Sequence, residues 1–100
     1  MQLARFLNNV FKKDGFILVD ANSKSYIIGN PKSENPIKVK ILNKNLHYKL
    51  LIHPDLYFGE AYTDGEITIE NGTLTDFLDL SLMNFGRGDL NFLSYLINRL

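Results

Sequence analysis

Cysteine is absent from the 100 residues, which excludes disulfides, thiolate metal sites and cysteine nucleophiles. Long apolar runs are missing as well, and nothing approaches the ~18 consecutive residues that a membrane-spanning helix needs. The opening MQLARFLNNVFKK has neither the unbroken apolar stretch nor the small-residue cleavage site of a secretory signal. The expected compartment is therefore the cytoplasm. Proline is scarce, at three residues, and the net charge is zero. What is present, 45% hydrophobic and 22% charged residues, describes a globular chain of the size of one domain with one core.

The zero net charge hides a division. Residues 1–50 carry nine basic groups against three acidic ones, and residues 51–100 carry two against eight. The halves thus stand at +6 and −6. Such asymmetry arises either because one face meets phosphates or because the halves pack together and neutralise each other. The basic groups are almost all lysine, which suits diffuse attraction to an anionic surface better than bidentate recognition. Nucleic acid is not an expected partner, because no recognised module or arginine-rich stripe accompanies the lysines.

Periodicity divides the chain. Leu3, Phe6, Leu7, Val10 and Phe11 fall at helical spacing. Lys12 and Lys13 are placed at that helix's C-terminal end, and Asp14-Gly15 stops it. Residues 15–29 read as a hairpin with its turn at Ala21-Asn22-Ser23-Lys24. Ile37-Lys38-Val39-Lys40-Ile41 alternates, with the lysines outward. A helix follows that Asn45 can cap and Pro54 must end or closely follow. Residues 55–65 are expected to be a compact irregular segment or short helix. Glu66–Glu70 alternates as a strand that ends in an Asn71-Gly72 turn. Thr73-Leu74-Thr75-Asp76 resembles a capping box, with Asp in the usual Glu position, and opens a helix carrying Leu74, Phe77, Leu78 and Leu82. After Gly86-Arg87-Gly88, Asp89 can cap a final helix with Phe92, Leu93, Leu96, Ile97 and Leu100. The expected order is α-β-β-β-α-β-α-α. It makes an α+β domain: a small, mostly antiparallel sheet of about four to five strands, covered on one face by helices.

Few residues invite chemistry. Glu60, Asp64 and Glu66 lie within seven residues, a spacing that suits backbone contacts in a glycine-containing loop better than a carboxylate pair flanking a sugar. His47 and His53 are six apart, roughly 600° around a helix, so they do not share a face as a metal-binding pair must. No metal site and no catalytic residue is expected. The aromatics Tyr57, Phe58 and Tyr62 cluster around Gly59, and they suit either a core or an acyl-chain groove.

Two segments carry a family resemblance. DGFILVDANSKSYIIG is similar to the opening hairpin of cyclopropane-fatty-acyl-phospholipid synthases, through Gly15, Val19, Asp20, Tyr26 and Gly29, with Ser23 in place of the usual turn glycine. HPDLYFGEAYTDGEITIENGTLTDFL resembles a second family signature through Pro54, Leu56, Gly59, Glu60, Tyr62, Asp64, Gly65, Leu74 and Leu78, with Thr63 where methionine is common. The resemblance implies a sterol-carrier-protein-like N-terminal domain, residues 1–88, with residues 89–100 a terminal helix leading to an interdomain linker. The family's catalytic Rossmann domain, which binds S-adenosylmethionine and methylenates unsaturated phospholipid acyl chains, is not in these residues, so no cofactor is expected in this chain itself.

The expectation that follows is an accessory domain at the inner face of the membrane. Its anionic phospholipid would meet Lys12, Lys13, Lys38, Lys40 and Lys44 at the headgroups and Tyr57, Phe58 and Tyr62 at the acyl or interface level. Gly59, Glu60, Asp64 and Gly65 would shape the fold. A C-terminal methyltransferase domain is the expected partner, and a homodimer is a further candidate. The alternative is a structural module that holds another domain or subunit and touches no lipid. An open apolar groove beside the aromatics favours the first, and a closed core favours the second.

Overall fold

The first hairpin is organised by one carboxylate. In the computed structural model, which describes residues 1–84 apart from the side chain of Asp55, β1 (Gly15–Val19) pairs antiparallel with β2 (Ser25–Gly29), from Gly15 opposite Gly29 to Val19 opposite Ser25. At the turn, the buried Asp20 accepts the backbone N–H groups of Asn22 and Lys24, both at 2.9 Å, and the Tyr26 hydroxyl at 3.1 Å. Ser23 takes a left-handed conformation, φ 67°, which a glycine would adopt more easily. At the other end, a Cβ on Gly15 would collide with the Ile28 carbonyl.

The chain then passes β1 and adds β3 (Lys38–Ile41) on its far side, parallel to β1, with Leu18 opposite Val39. β4 (Ile67–Glu70) closes that edge antiparallel to β3, giving the order β2-β1-β3-β4. The α+β class and the four strands are as expected, but the sheet is mixed: two of the three pairings are antiparallel and one is parallel. Strict alternation in β3 sends Val39 and Ile41 inward and Lys38 and Lys40 outward.

Four helices supply the second layer. α1 (Gln2–Val10) buries Leu3 and Ala4 and is tied to β2 where Asn8 Oδ1 accepts the Gly29 N–H at 2.8 Å. It ends before Lys12 and Lys13, which lie in the α1–β1 turn and not in the helix. Asn84, the last residue of α4 (Leu74–Asn84), clasps that turn: its Oδ1 accepts the Lys13 N–H at 2.7 Å and its Nδ2 donates to the Lys13 carbonyl at 2.8 Å. The capping box at the start of α4 is complete, with Asp76 N–H to Thr73 Oγ1 at 3.1 Å and Thr73 N–H to Asp76 Oδ2 at 2.9 Å.

Asn45 stands at the N-cap of α2 (Leu46–Ile52), but with helical backbone angles and no side-chain capping bond; Asn43 makes the turn by accepting the Asn45 N–H at 3.0 Å. Of the two alternatives for residues 55–65 the helix is found: α3 spans Pro54–Thr63 with Pro54 in its first turn, where a missing N–H costs nothing. α3 ends in a Schellman motif, with Glu66 N–H to Ala61 O at 2.8 Å, Gly65 N–H to Tyr62 O at 3.2 Å and Gly65 at φ 78°. The GEAYTDG signature is therefore the end of a helix. The final helix expected from Asp89, and the boundary at residue 88, lie outside the described residues.

One cluster unites Phe16, Leu18, Ile28, Val39, Ile41 and Ile67 of the sheet with buried residues of all four helices. The other sheet face carries Ile17, Val19, Ile27, Lys38 and Lys40, of which Ile27 is 66% exposed. Lys40 there pairs with Glu70 at 2.9 Å, so a lysine of the basic half meets a carboxylate of the acidic half.

Candidate functional site

Between the two layers lies a cavity of about 290 Å³. Phe16, Leu18, Val39, Ile41 and Ile67 form its floor; Leu3 and Leu7 of α1, Phe11 just after it, Leu50 of α2, Phe58 of α3 and Phe77 of α4 form its walls. Ser81 and His53 are the polar residues of the lining. Ser81 is buried, and its hydroxyl donates back to the Phe77 carbonyl at 2.9 Å, leaving oxygen lone pairs as its remaining capacity. The lining residues that reach solvent are Leu7, Ile52, His53 and Pro54. The mouth therefore opens between α1 and the junction of α2 with α3.

Aromatic packing stiffens one wall. The Phe11 and Phe16 rings meet edge-on at 5.0 Å, and Phe16 meets Phe77 the same way at 5.1 Å. Phe77 stacks on Phe58 at 5.2 Å, and Phe58 on Tyr62 at 6.5 Å. These are ordinary attractive aromatic geometries.

Of the three expected acyl contacts, Phe58 lines the cavity. Tyr62 stacks behind it, and Tyr57 lies outside the lining, under the Lys49 ammonium at 5.5 Å from its ring centre. The five expected headgroup lysines do not form one patch. Lys38 and Lys40 are on the outer sheet face, opposite the cavity; Lys12 and Lys13 are in the α1–β1 turn; Lys44 precedes α2. Gly59 and Gly65 are built into α3 and its cap, and the Gly59 carbonyl accepts the Thr63 hydroxyl at 2.9 Å. Glu60 contributes its backbone carbonyl to the helix end, accepting the N–H of Asp64.

No family model and no curated protein sequence matches the chain.

The histidines are not a pair. His47 Nε2 accepts the Ala21 N–H at 3.3 Å, beside the Asp20 turn, whereas His53 is at the cavity mouth. Among the described residues no group of three His, Asp or Glu side chains could hold a metal ion. Burial pushes the Asp20 carboxyl up, but the N–H groups of Lys24 and Asn22, the Tyr26 hydroxyl and the nearby His47 outweigh it and hold the group below the usual range. Tyr26 is raised in turn, by desolvation and by its bond to the Asp20 carboxylate. Both groups belong to the hairpin turn and neither lines the cavity.

Reasoning from sequence missed Leu3, Leu7, Phe11, Leu18, Val39, Ile41, Leu50, Ile52, His53, Ile67 and Ser81 as site residues. Their apolar majority is marked as core by periodicity, and a residue lining a void has the same signature as one packed against a neighbour. Among the described residues, no helix is long and apolar enough to cross a membrane.

Proposed function

We propose that this chain is a lipid-handling accessory domain, similar to the N-terminal domain of cyclopropane-fatty-acyl-phospholipid synthases, and that its cavity takes one acyl chain of a phospholipid or fatty acid. The observation that carries the reading is the lining: a 290 Å³ space walled by apolar and aromatic groups, with His53 and Ser81 its polar side chains. That volume is at the lower end of ligand sites, and the chemistry is typical of them.

The lining does not fit S-adenosylmethionine. It offers no carboxylate for ribose hydroxyls and no glycine-rich turn at a helix start. The methyl-transferring chemistry of the resembled family therefore belongs to a second domain, and the role of this one is to bind and present the acyl chain, at the inner face of an anionic membrane.

A second reading, a module that holds another domain without touching lipid, is favoured by the outer sheet face, where among the described residues Ile27 is 66% exposed and pairs with Ile17. Titration with cis-parinaric acid and displacement by palmitoleate separate the two. The lipid reading expects saturable fluorescence and roughly ten-fold weaker binding in a Leu50→Phe variant that fills the cavity and keeps or raises its melting temperature. Absence of saturable binding in the unaltered chain overturns it in favour of the second reading.

A further inference from the structure

The expected headgroup lysines stand on both sides of the molecule, and a flat bilayer touches one side at a time. Lys38 and Lys40 face away from the cavity, and Lys40 is engaged with Glu70. An acyl chain has to enter where the lining meets solvent, at Leu7, Ile52, His53 and Pro54. Any membrane seat that serves the cavity includes that rim.

α2 supplies the rest of such a seat. Its outward face shows Tyr48, 69% exposed, and Ile52, 76% exposed. They are one helical turn apart on the same stripe. An isolated exposed isoleucine needs no explanation, but this one continues directly into the cavity lining. Lys44 is in the turn just before α2, and Lys49 follows Tyr48 in sequence, with its ammonium 5.5 Å from the Tyr57 ring centre. From Asn43 to Pro54 the sequence has two lysines and no carboxylate; Asp55 follows, and the Glu66 carboxylate accepts the Asn43 amide at 3.2 Å at the start of the segment. An exposed aliphatic group, a tyrosine and flanking lysines are the components of an interfacial helix face. The charge sign matches an anionic leaflet.

We propose that the outward face of α2 formed by Tyr48 and Ile52, together with Lys44 just before the helix, is the membrane seat of this domain, and that the acyl chain enters the cavity over Ile52 directly from an anionic bilayer. This rests on the lipid reading of the cavity and adds a route to it. Tyr48 and Lys44 are outside the lining, so they act on access to the membrane and not on the fit of the chain.

The test uses the full chain, vesicles of phosphatidylcholine with and without phosphatidylglycerol, and cis-parinaric acid in vesicle-free buffer as a separate probe of the cavity. The paired variant Tyr48→Ser/Lys44→Gln is expected to lose about ten-fold or more in partition onto the anionic vesicles, with cis-parinaric acid binding unchanged. Lys38→Gln/Lys40→Gln, on the opposite face, is expected to bind the vesicles like the unaltered chain. The unaltered chain's vesicle binding is expected to weaken as salt rises. Equal vesicle binding by the Tyr48/Lys44 variant and the unaltered chain overturns the seat, as does loss of binding in the Lys38/Lys40 variant alone. A chain that ignores vesicles but forms a dimer abolished by Tyr48→Ser overturns it in favour of self-association. Vesicle binding through Tyr48 without any uptake of cis-parinaric acid supports the seat and refutes the acyl reading of the cavity, so the two failures are distinguishable.

Discussion

The Asp20 carboxylate and the Tyr26 hydroxyl meet at 3.1 Å across the first hairpin, on the residue that also gathers the N–H groups of Asn22 and Lys24. One side chain thus fixes both the turn and the start of the return strand. It stands on the segment whose pattern resembles the synthase family, and its role here is structural.

That arrangement sets an acid dependence. Asp20 is held below its ordinary value in the fold, so its contribution is fully present above pH about 4. It is lost as pH falls through the lowered value. Asp20→Ala is expected to cost about 1 kcal/mol or somewhat more at neutral pH, where it removes the acceptor of three part-buried donors. Urea unfolding of the two proteins at stepwise lower pH is expected to show that gap narrowing in acid. A gap that is constant down to strongly acidic pH contradicts the assignment. Tyr26 has the opposite sign: its raised value stabilises the fold below pH about 10, and that support disappears as pH rises through it.

Ser23 occupies a left-handed conformation that costs an L-residue roughly 1–2 kcal/mol. Ser23→Gly is expected to stabilise the chain by about 0.5 kcal/mol after glycine's extra chain entropy is subtracted. Thermal unfolding is expected to shift upward by roughly 2–4 °C. A lower melting temperature contradicts the turn geometry.

Two glycine-to-alanine changes separate crowding from backbone strain. A Cβ on Gly65 meets nothing within 4 Å, and φ there is 78°. Gly65→Ala therefore carries only the left-handed penalty, about 1 kcal/mol. A Cβ on Gly15 meets the Ile28 carbonyl across the hairpin. Gly15→Ala is expected to cost clearly more, about 2–3 kcal/mol or above. Chemical denaturation of both variants reads the difference, and equal costs contradict the close approach of β1 and β2.

Some elements were legible because local chemistry determines them. The hairpin over residues 15–29, the alternation in β3 and the Thr73–Asp76 box each rest on contacts within a few residues, and each is found in place. α3 was harder to read because Phe58, Gly59 and Ala61 are buried while Leu56, Tyr57, Glu60 and Tyr62 are partly covered. That leaves no clean polar face, and a central glycine further weakens the helical pattern. The parallel pairing of β1 with β3 depends on which side of β1 the chain passes, and residues 30–37 do not encode that locally. The cavity was least legible. Phe58 was singled out because it lies among tyrosines, but Val39, Leu50 and Phe77 look like any other core residues. A void is a property of how layers meet, and no residue type records it.

The most direct measurement is of intermolecular nuclear Overhauser effects between ¹³C-labelled palmitoleate and the chain. The account expects contacts from the acyl chain to Leu18, Val39, Ile41, Leu50 and Phe77, with the carboxylate end near His53 and Ile52. Contacts confined to Ile17 and Ile27 on the outer sheet face, or no contacts at saturating ligand, would contradict it.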